Sequence, residues 1–458
     1  MSNYFTPLAP TTLARRLGGG RIWLPGDDGY EERRLGWALS ADLRPAAIAI
    51  PHSVDEVIAV VKSAAAAGMR VAPQSTGHGA RSLAKQDLSK TVIVRLSEFT
   101  GVEIDAERGI ARVLGGTLWQ DVVAAAAPFG YTAVHGSSGD VAVAGFALSG
   151  GLSFYGREHG LSANHVSAVE LVTADGELLR ASAEENDGLF WALRGGGGNF
   201  GVVTAVEIRL LPFTDVYAGM LLWDRERSPE VLRAWVEWTK TAPDSVSTSF
   251  RFLSLPRLPE LPPFLAGRDV IVIDGAVRSS DEEAGRVLAP LRALAPELDT
   301  FARIPSTELI AVHMDPTEPT AAATDHRVLA ELPEEGIQAL LARVGPGTSS
   351  GLVITELRQL GGALAREPVH GGAIASISGA FAFVAFAMSP VAEKLAEGLR
   401  TAQAVAAALD PWATVDRLLT FSENPIPGEG LGAARTRLSY EAIRIDPRGV
   451  FQTSHPIR

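Results

Sequence analysis

Three stretches of this chain hold side chains whose types and spacing could do chemistry. The first is the loop QSTGHGARS at 74–82, where His78 stands between Gly77 and Gly79. An imidazole titrates near neutrality and can act as nucleophile, base or ligand, and flanking glycines let the backbone approach another group closely. The second is 136–151, which holds five glycines together with Ser137, Ser138 and Ser149. The third is VITELRQL at 353–360. Read as a strand, it puts Ile354, Glu356 and Arg358 on one face. A carboxylate and a guanidinium buried there without partners would be costly, so the face is expected to line a polar cavity. Glu356 and Arg358 are then the candidate polar pair of that cavity. Arg358 would orient Glu356 or bind an anionic substrate group. A structural Glu–Arg pair is the alternative.

Charge narrows the ligand chemistry. The 458 residues carry 41 Lys+Arg against 53 Asp+Glu, a net charge of −12, which disfavours nucleic acid as a partner. An acidic chain can still hold a pyrophosphate through backbone N–H groups in glycine-rich turns. Two such loops would suit a long dinucleotide; two ordinary turns are the alternative. Cysteine is absent, which excludes disulfides, thiolate metal sites, cysteine nucleophiles and cysteinyl cofactor bonds.

Other motifs fail on context. Gly196, Gly198 and Gly201 satisfy G-x-G-x-x-G, but a helix-like segment precedes them and a strand-like one follows, the reverse of a Rossmann site. The turn still brings backbone close to something, a cofactor included. Ala147–Gly151 resembles a nucleophile elbow, yet the sequence after it is a poor helix, which leaves a serine hydrolase through Ser149 as a minor alternative. No P-loop and no H-E-x-x-H occurs, and His159 and His165 lack ligand spacing, so no metal is expected. Pro368–Ala392 has no Asp, Glu, Lys or Arg, but its Phe/Val-rich centre reads as a buried strand rather than a membrane helix. The first twenty residues show no apolar core of signal-peptide length, so the expected location is cytoplasmic.

The elements that would carry these loops follow from local pattern. RPAAIAIP reads as a strand, Ser53 and Glu56 as a capping box opening a helix to Ala67, Gly68 as its stop, and MRVAP as the next strand. TVIVRL alternates, and VEID and IARV flank a hairpin turn. Thr117 and Gln120 are expected to cap a short helix that stops near Gly130. The segment 135–152 shows little helical period. VSAVELVTADGELLRAS is a hairpin, DGLFWALRG a short helix and VVTAVEIRLLP a strand. Beyond Pro212, helices near 229–240, 281–294, 333–344 and 391–409 alternate with strands near 216–222, 246–253, 269–277, 350–358 and 374–388. LPRLPELPPF at 255–264 reads as a rigid loop. The tail is expected to hold a strand after Trp412 and a helix near 433–445.

In order and spacing, IPHSVDEVIAVVKSAAAAGMRVAPQSTGHG, GGTLWQDVVAAAAPFGYTAVHGSSGDVAVAGFALSGGLS, REHGLSANHVSAVELVTADG and NDGLFWALRGGGGNFGVVTAVEIRL resemble the flavin-binding module of the vanillyl-alcohol oxidase superfamily. Within it they are most similar to the berberine-bridge-enzyme-like FAD-linked oxidases. TELRQLGGALAREP, LDPWA and DPRGVFQTSHPI extend the likeness toward the C-terminus. The resemblance implies an α+β fold: a two-subdomain PCMH-type FAD-binding domain over 1–214, an antiparallel-sheet substrate domain with helices on one face over 215–411, and a segment, 412–458, returning to the first domain.

It also implies roles. His78 matches the position that bonds the flavin 8α-methyl carbon, with Ser75, Thr76, Gly77, Gly79, Ser82 and Leu83 around it. Gly136, Ser137, Ser138, Asp140, Ala142, Gly145 and Gly151 would wrap the rest of the FAD. Asn164 and Val203 would lie by the adenine or ribityl chain, and Ser454 and His455 replace the family's tail Asn-His. Ser138 stands where many relatives have a second, cysteinyl bond, so the flavin would be singly covalent. In related oxidases the sheet matching VITELRQL covers the flavin ring, so the resemblance implies Glu356 as general base for a substrate hydroxyl or acidic carbon. The family's common Tyr-x-Asn pair reads Leu418 and Thr420, which removes a catalytic phenol. The implied activity is oxidation of a small organic substrate with O2 as acceptor. A flavin oxygenase of the actinobacterial polyketide-tailoring kind, a flavin dehydrogenase and a flavin-binding protein without turnover are the alternatives. A monomer or homodimer is expected.

Overall fold

A computed structural model describes residues 21–458 apart from 258, 260, 261, 424, 425 and 429. The N-terminal stretch read for a leader and part of the Pro-rich loop lie outside the described residues.

Hydrophobic pattern separates three sheets. The first holds β1 (Ile22–Trp23), β2 (Ala47–Ala49), β3 (Arg70–Gln74) and β4 (Thr91–Arg95) in the order β1-β2-β4-β3. Its β2-β4-β3 part is parallel, and β4 is buried at every position, as a strand covered on both faces must be. The helix Val54–Ala66 connects β2 to β3. Ser53 caps it, Oγ accepting from Glu56 N at 3.2 Å, and Glu56 reaches back to His52 N at 2.8 Å.

The second sheet is antiparallel: β5 (Val102–Asp105), β6 (Ile110–Leu114), β7 (Val166–Val172), β8 (Leu178–Ser182) and β9 (Val202–Arg209), ordered β5-β6-β9-β7-β8. Two local expectations need correction. The helix Trp119–Ala126 has Leu118 as its N-cap with no side-chain bond, because Thr117 Oγ1 is taken by the backbone of Gly101. Within the segment read as lacking helix, Val143–Leu148 forms one; its small residues pack inward against the helix Asp187–Gly196, so tertiary contact overrides a weak local pattern.

The third sheet is β10 (Asp215–Asp224), β11 (Val246–Ser254), β12 (Asp269–Val277), β13 (Leu298–Asp299), β14 (Ala302–Pro305), β15 (Ala322–Leu329), β16 (Ile354–Gln359) and β17 (Phe381–Met388). The order is β13-β10-β12-β11-β16-β17-β15, with β14 on β10. Strand β15 went unread in the sequence because Asp325, His326 and Arg327 mask its alternation. The helices Ser228–Thr239, Asp281–Arg292, Glu334–Val344 and Ala392–Ala408 share one core with Trp223, Phe250, Phe252, Leu357 and Phe383. The helices therefore cover one face of this sheet. Pro368–Ala392 supplies β17, and among the described residues no helix is long and apolar enough to cross a membrane. Among the described residues the tail forms a helix, Arg435–Ile445, but no strand after Trp412. It then returns to β3, where Val71 bonds Val450 O and Gln452 N at 2.8 and 2.9 Å.

Candidate active site

The sheet register builds one wall of a cavity. Leu357 points into the helix-covered core; Ile354, Glu356 and Arg358 face the other way and line the cavity. Arg251 pairs across with Glu356, and Ser249 with both Arg358 and Asp274. These side chains share one face because alternate positions do. A slip of one residue would drive them into the Trp/Phe core.

His313 arrives over this face on the loop between β14 and β15. Its Nε2 lies 3.0 Å from Glu356 Oε2 and its Nδ1 2.8 Å from Asp274 Oδ2. Arg358 Nε donates to Glu356 Oε1 at 2.7 Å, and Arg358 Nη2 lies 3.2 Å from His313 Nε2. Arg251 donates to Asp274 at 3.0 Å and to the His313 carbonyl at 2.5 Å. Ser249 donates to Asp274 as well. Asp274, His313 and Glu356 side chains are 0, 2 and 1 % exposed. Burial alone would raise the Glu356 carboxyl, but Arg358, then His313 and Arg251, hold it well below the usual carboxylate range. Burial and Arg251 push His313 toward the neutral form, while Asp274 and Asp315 pull it back, and the balance lies above its ordinary value. Both Glu356 oxygens are engaged, Oε1 by Arg358 and Oε2 by His313, which lowers the proton affinity of this carboxylate.

The other wall is loop. Trp37 stacks on His78 with ring centroids 4.2 Å apart and planes 18° from parallel, and it donates to Asp140 Oδ2 at 2.5 Å. His78 Nδ1 meets Thr76 Oγ1 at 2.8 Å. Its Nε2 is buried without a hydrogen-bond partner and lies 3.6 Å from Asp140 Oδ1. Burial works against the Asp140 charge, yet His78, Ser138 and Trp37 keep its carboxyl below the ordinary value. Gly77 has φ +85°, and a Cβ there would stand 2.9 Å from Gly36 Cα. Gly195 has φ +124°, with a Cβ 2.5 Å from Ile374 N. Neither position tolerates a side chain without backbone movement.

The cavity between these walls has a volume of about 380 Å³. Of the residues singled out in the sequence, Ser75, Thr76, Gly77, His78, Gly79, Leu83, Gly136, Ser137, Ser138, Ala142, Gly145, Glu356, Arg358, Ser454 and His455 line it. The structure does not bring Ser82, Asp140, Gly151, Asn164 or Val203 to its lining. Ser82 is turned to the Ser454 carbonyl, Asn164 donates to Ala375 O at 2.9 Å, and Val203 belongs to the core of the second sheet. Asp140 acts one step back, through Trp37, Ser138 and His78.

Several hydroxyls near the loops are already spent within the protein: Ser75 on Gly115 O at 2.7 Å, Ser137 on Asp315 at 2.7 Å and Ser138 on Asp140 at 2.5 Å. The donors left for a ligand on this wall are largely main-chain amides. Such a cradle, with an unpartnered buried imidazole nitrogen, fits a flavin dinucleotide. The 195–199 turn also lines it, and Asn199 ties that turn to the tail through His455 O at 2.9 Å. Ser149 lines the cavity too, but it follows a helix and precedes two glycines with φ +103° and +75°, so the strand–turn–helix of a nucleophile elbow is not formed.

Sequence reading missed Trp37, Arg251, Asp274, His313 and Asp315, none of which lies in a local motif. Leu418 is turned into a small core with Leu152 and Leu161, while Thr420 lines the cavity. None of the described lining residues is a tyrosine. Ile354, Phe386, Met388, Leu419 and Phe421 are among the apolar residues of the lining.

Residues 45–182 match the family described as FAD binding domain. The chain is 35% identical over 205 residues to (R)-6-hydroxynicotine oxidase of Paenarthrobacter nicotinovorans, covering 44% of each chain. It is 34% identical over 195 residues to xylooligosaccharide oxidase of Thermothelomyces thermophilus, covering 42% of this chain and 39% of that one. These matches span less than half of the relatives' length. Among solved structures, the BBE-like 1 protein of Physcomitrella patens superposes with a TM-score of 0.84 at 20% identity, covering 97% of this chain and 99% of that one. The chain carries an FAD-binding domain and has the fold of these berberine-bridge-enzyme-like proteins.

Proposed function

We propose that this chain is an FAD-dependent oxidoreductase that oxidises a small organic substrate, an alcohol, a sugar or a secondary metabolite, with O2 as the electron acceptor. One observation carries the reading: a single cavity is lined both by the glycine loops around His78 and by the buried ionic cluster of β16. FAD, when bound, supplies the two-electron acceptor. The loops at 75–79, 136–145 and 195–199, with Ser454 and His455, would hold it, and the His78 imidazole would tether it. Burial keeps His455 neutral, with a pKa lowered to about 4, so that side chain adds no charge at neutral pH. Phe386, Met388 and Phe421 exclude water from the substrate side, and Glu356, Arg358 and His313 handle the proton. Holding substrate and acceptor together without bulk water would supply much of the acceleration. The reading includes a cytoplasmic setting and a monomer or homodimer.

The test is spectroscopic. Protein purified from riboflavin-supplied cells should be yellow, should bleach without air in the presence of an oxidisable alcohol from a substrate panel, and should regain colour with H2O2 on aeration. A colourless protein that takes up no added FAD overturns the reading.

A further inference from the structure

We infer that the proton acceptor of this site is the His313–Glu356 pair acting as one group, with Asp274 as the positioning residue behind it; this rests on the oxidoreductase reading above. Glu356 has no idle oxygen, since Arg358 takes Oε1 at 2.7 Å and His313 stands 3.0 Å from Oε2. His313 is in turn clamped between two carboxylates, with Asp274 2.8 Å from Nδ1. The loop that delivers it is held firmly. Arg251 binds its carbonyl at 2.5 Å, the Phe154 ring packs edge-on at 5.8 Å, and the next residue, Met314, adopts a left-handed φ of 55°. A non-glycine residue in that conformation marks a backbone constrained by its surroundings.

The charged groups facing His313 are Arg251 from β11, Asp274 from β12, Glu356 and Arg358 from β16, and Asp315 at 3.9 Å from its own loop. Two guanidiniums against three carboxylates leave one negative charge, which an imidazolium cancels. The resting cluster is therefore neutral with the shared proton on the pair. Loss of that proton to solvent through the cavity frees the pair to accept one from substrate. The substrate O–H bond breaks, its electron pair stays on the substrate oxygen, and an N–H bond forms at His313 Nε2, directly or through Glu356. FAD, when bound, would supply the acceptor for the carbon-bound hydrogen and its two electrons. The working protonation step thus follows a histidine-like rather than a carboxylate-like titration.

The decisive experiment is ¹⁵N NMR of histidine-labelled holoenzyme, with the His313 signal assigned by its loss in His313→Gln. An imidazolium is expected at pH 7, losing its proton above the ordinary histidine range. The midpoint should fall in Glu356→Gln and in Asp274→Asn, two variants that serve if either one fails to fold. For an alcohol that bleaches the flavin, the rate should rise with pH at the same midpoint, and Glu356→Gln should slow bleaching by about 10²–10⁴-fold. A His313 neutral at pH 7, or a midpoint unmoved by both variants, overturns the inference without touching the oxidoreductase reading. A protein with the expected His313 titration that never binds FAD overturns that reading instead.

Discussion

The two walls of the cavity are built on opposite principles. The loop wall uses small residues, main-chain amides and one stacked imidazole. The sheet wall packs two arginines, two carboxylates and a histidine, from three strands and a loop, into a nearly solvent-free row. The first gains its function from backbone proximity and the second from strand register. The lesson is that the two walls should fail differently when perturbed: the loop wall by losing cofactor, the sheet wall by losing stability and proton control.

The largest effect is expected at Arg251→Met. Arg251 is 4 % exposed against a fully buried Asp274, and removing one partner of such a pair costs roughly 3–5 kcal/mol because the other charge stays buried. Urea unfolding checks this. A cost under about 1 kcal/mol would show that the cluster is not a coupled unit.

The next effect separates the walls by pH. Asp274 and Glu356 lie below the usual carboxylate range; burial opposes this, but His313 and Arg358 respectively outweigh it. Their stabilisation is present above the unfolded value near 4 and is lost as pH falls through the depressed folded value. His313 is held above its ordinary value, so its stabilisation is full below about 6.5 and is lost as pH rises through the raised value. His135, His165 and His455, with pKa lowered by burial to about 4, and His326, to about 3, act the other way. They cost stability as pH falls from about 6.5 toward those values. Melting temperature should therefore peak near neutrality. His313→Gln should flatten the alkaline decline and weaken the acid one in part, because His313 helps hold Asp274 and Glu356 down. An alkaline decline that survives the substitution would assign it elsewhere.

A smaller effect is expected at Gly77→Ala. The left-handed φ costs about 1–2 kcal/mol for a residue with a Cβ, and the approach to Gly36 adds crowding. FAD content per chain should drop while the sheet-wall titration of His313 stays in place. Full FAD content would mean that the close approach is not what shapes the loop.

This contrast also explains what could be read from the sequence. The capping box at Ser53, the hairpins of the second sheet, the four helices over the third sheet and the facing of Glu356 and Arg358 all follow from periodicity within a few residues. The loop wall was legible for the same reason, because the glycines that let it close are neighbours of His78. His313 was not. Its role depends on Asp274 and Glu356, 39 and 43 positions away, meeting through a register that no local pattern encodes. Trp37 was missed likewise, since its partner Asp140 lies 103 residues on. The cap at Thr117 failed because Gly101 competes for the hydroxyl, and β15 failed because its charged residues pair with Asp410 and each other rather than with solvent.

The central claim is that main-chain amides of the glycine loops hold FAD while His78 tethers it. Acid precipitation of wild-type protein and of His78→Ala tests it most directly. The account predicts yellow colour in the wild-type pellet and, for the variant, colour released to the supernatant from a protein that still binds FAD before precipitation. Colour in the wild-type supernatant, or a variant pellet as yellow as the wild type, would contradict it.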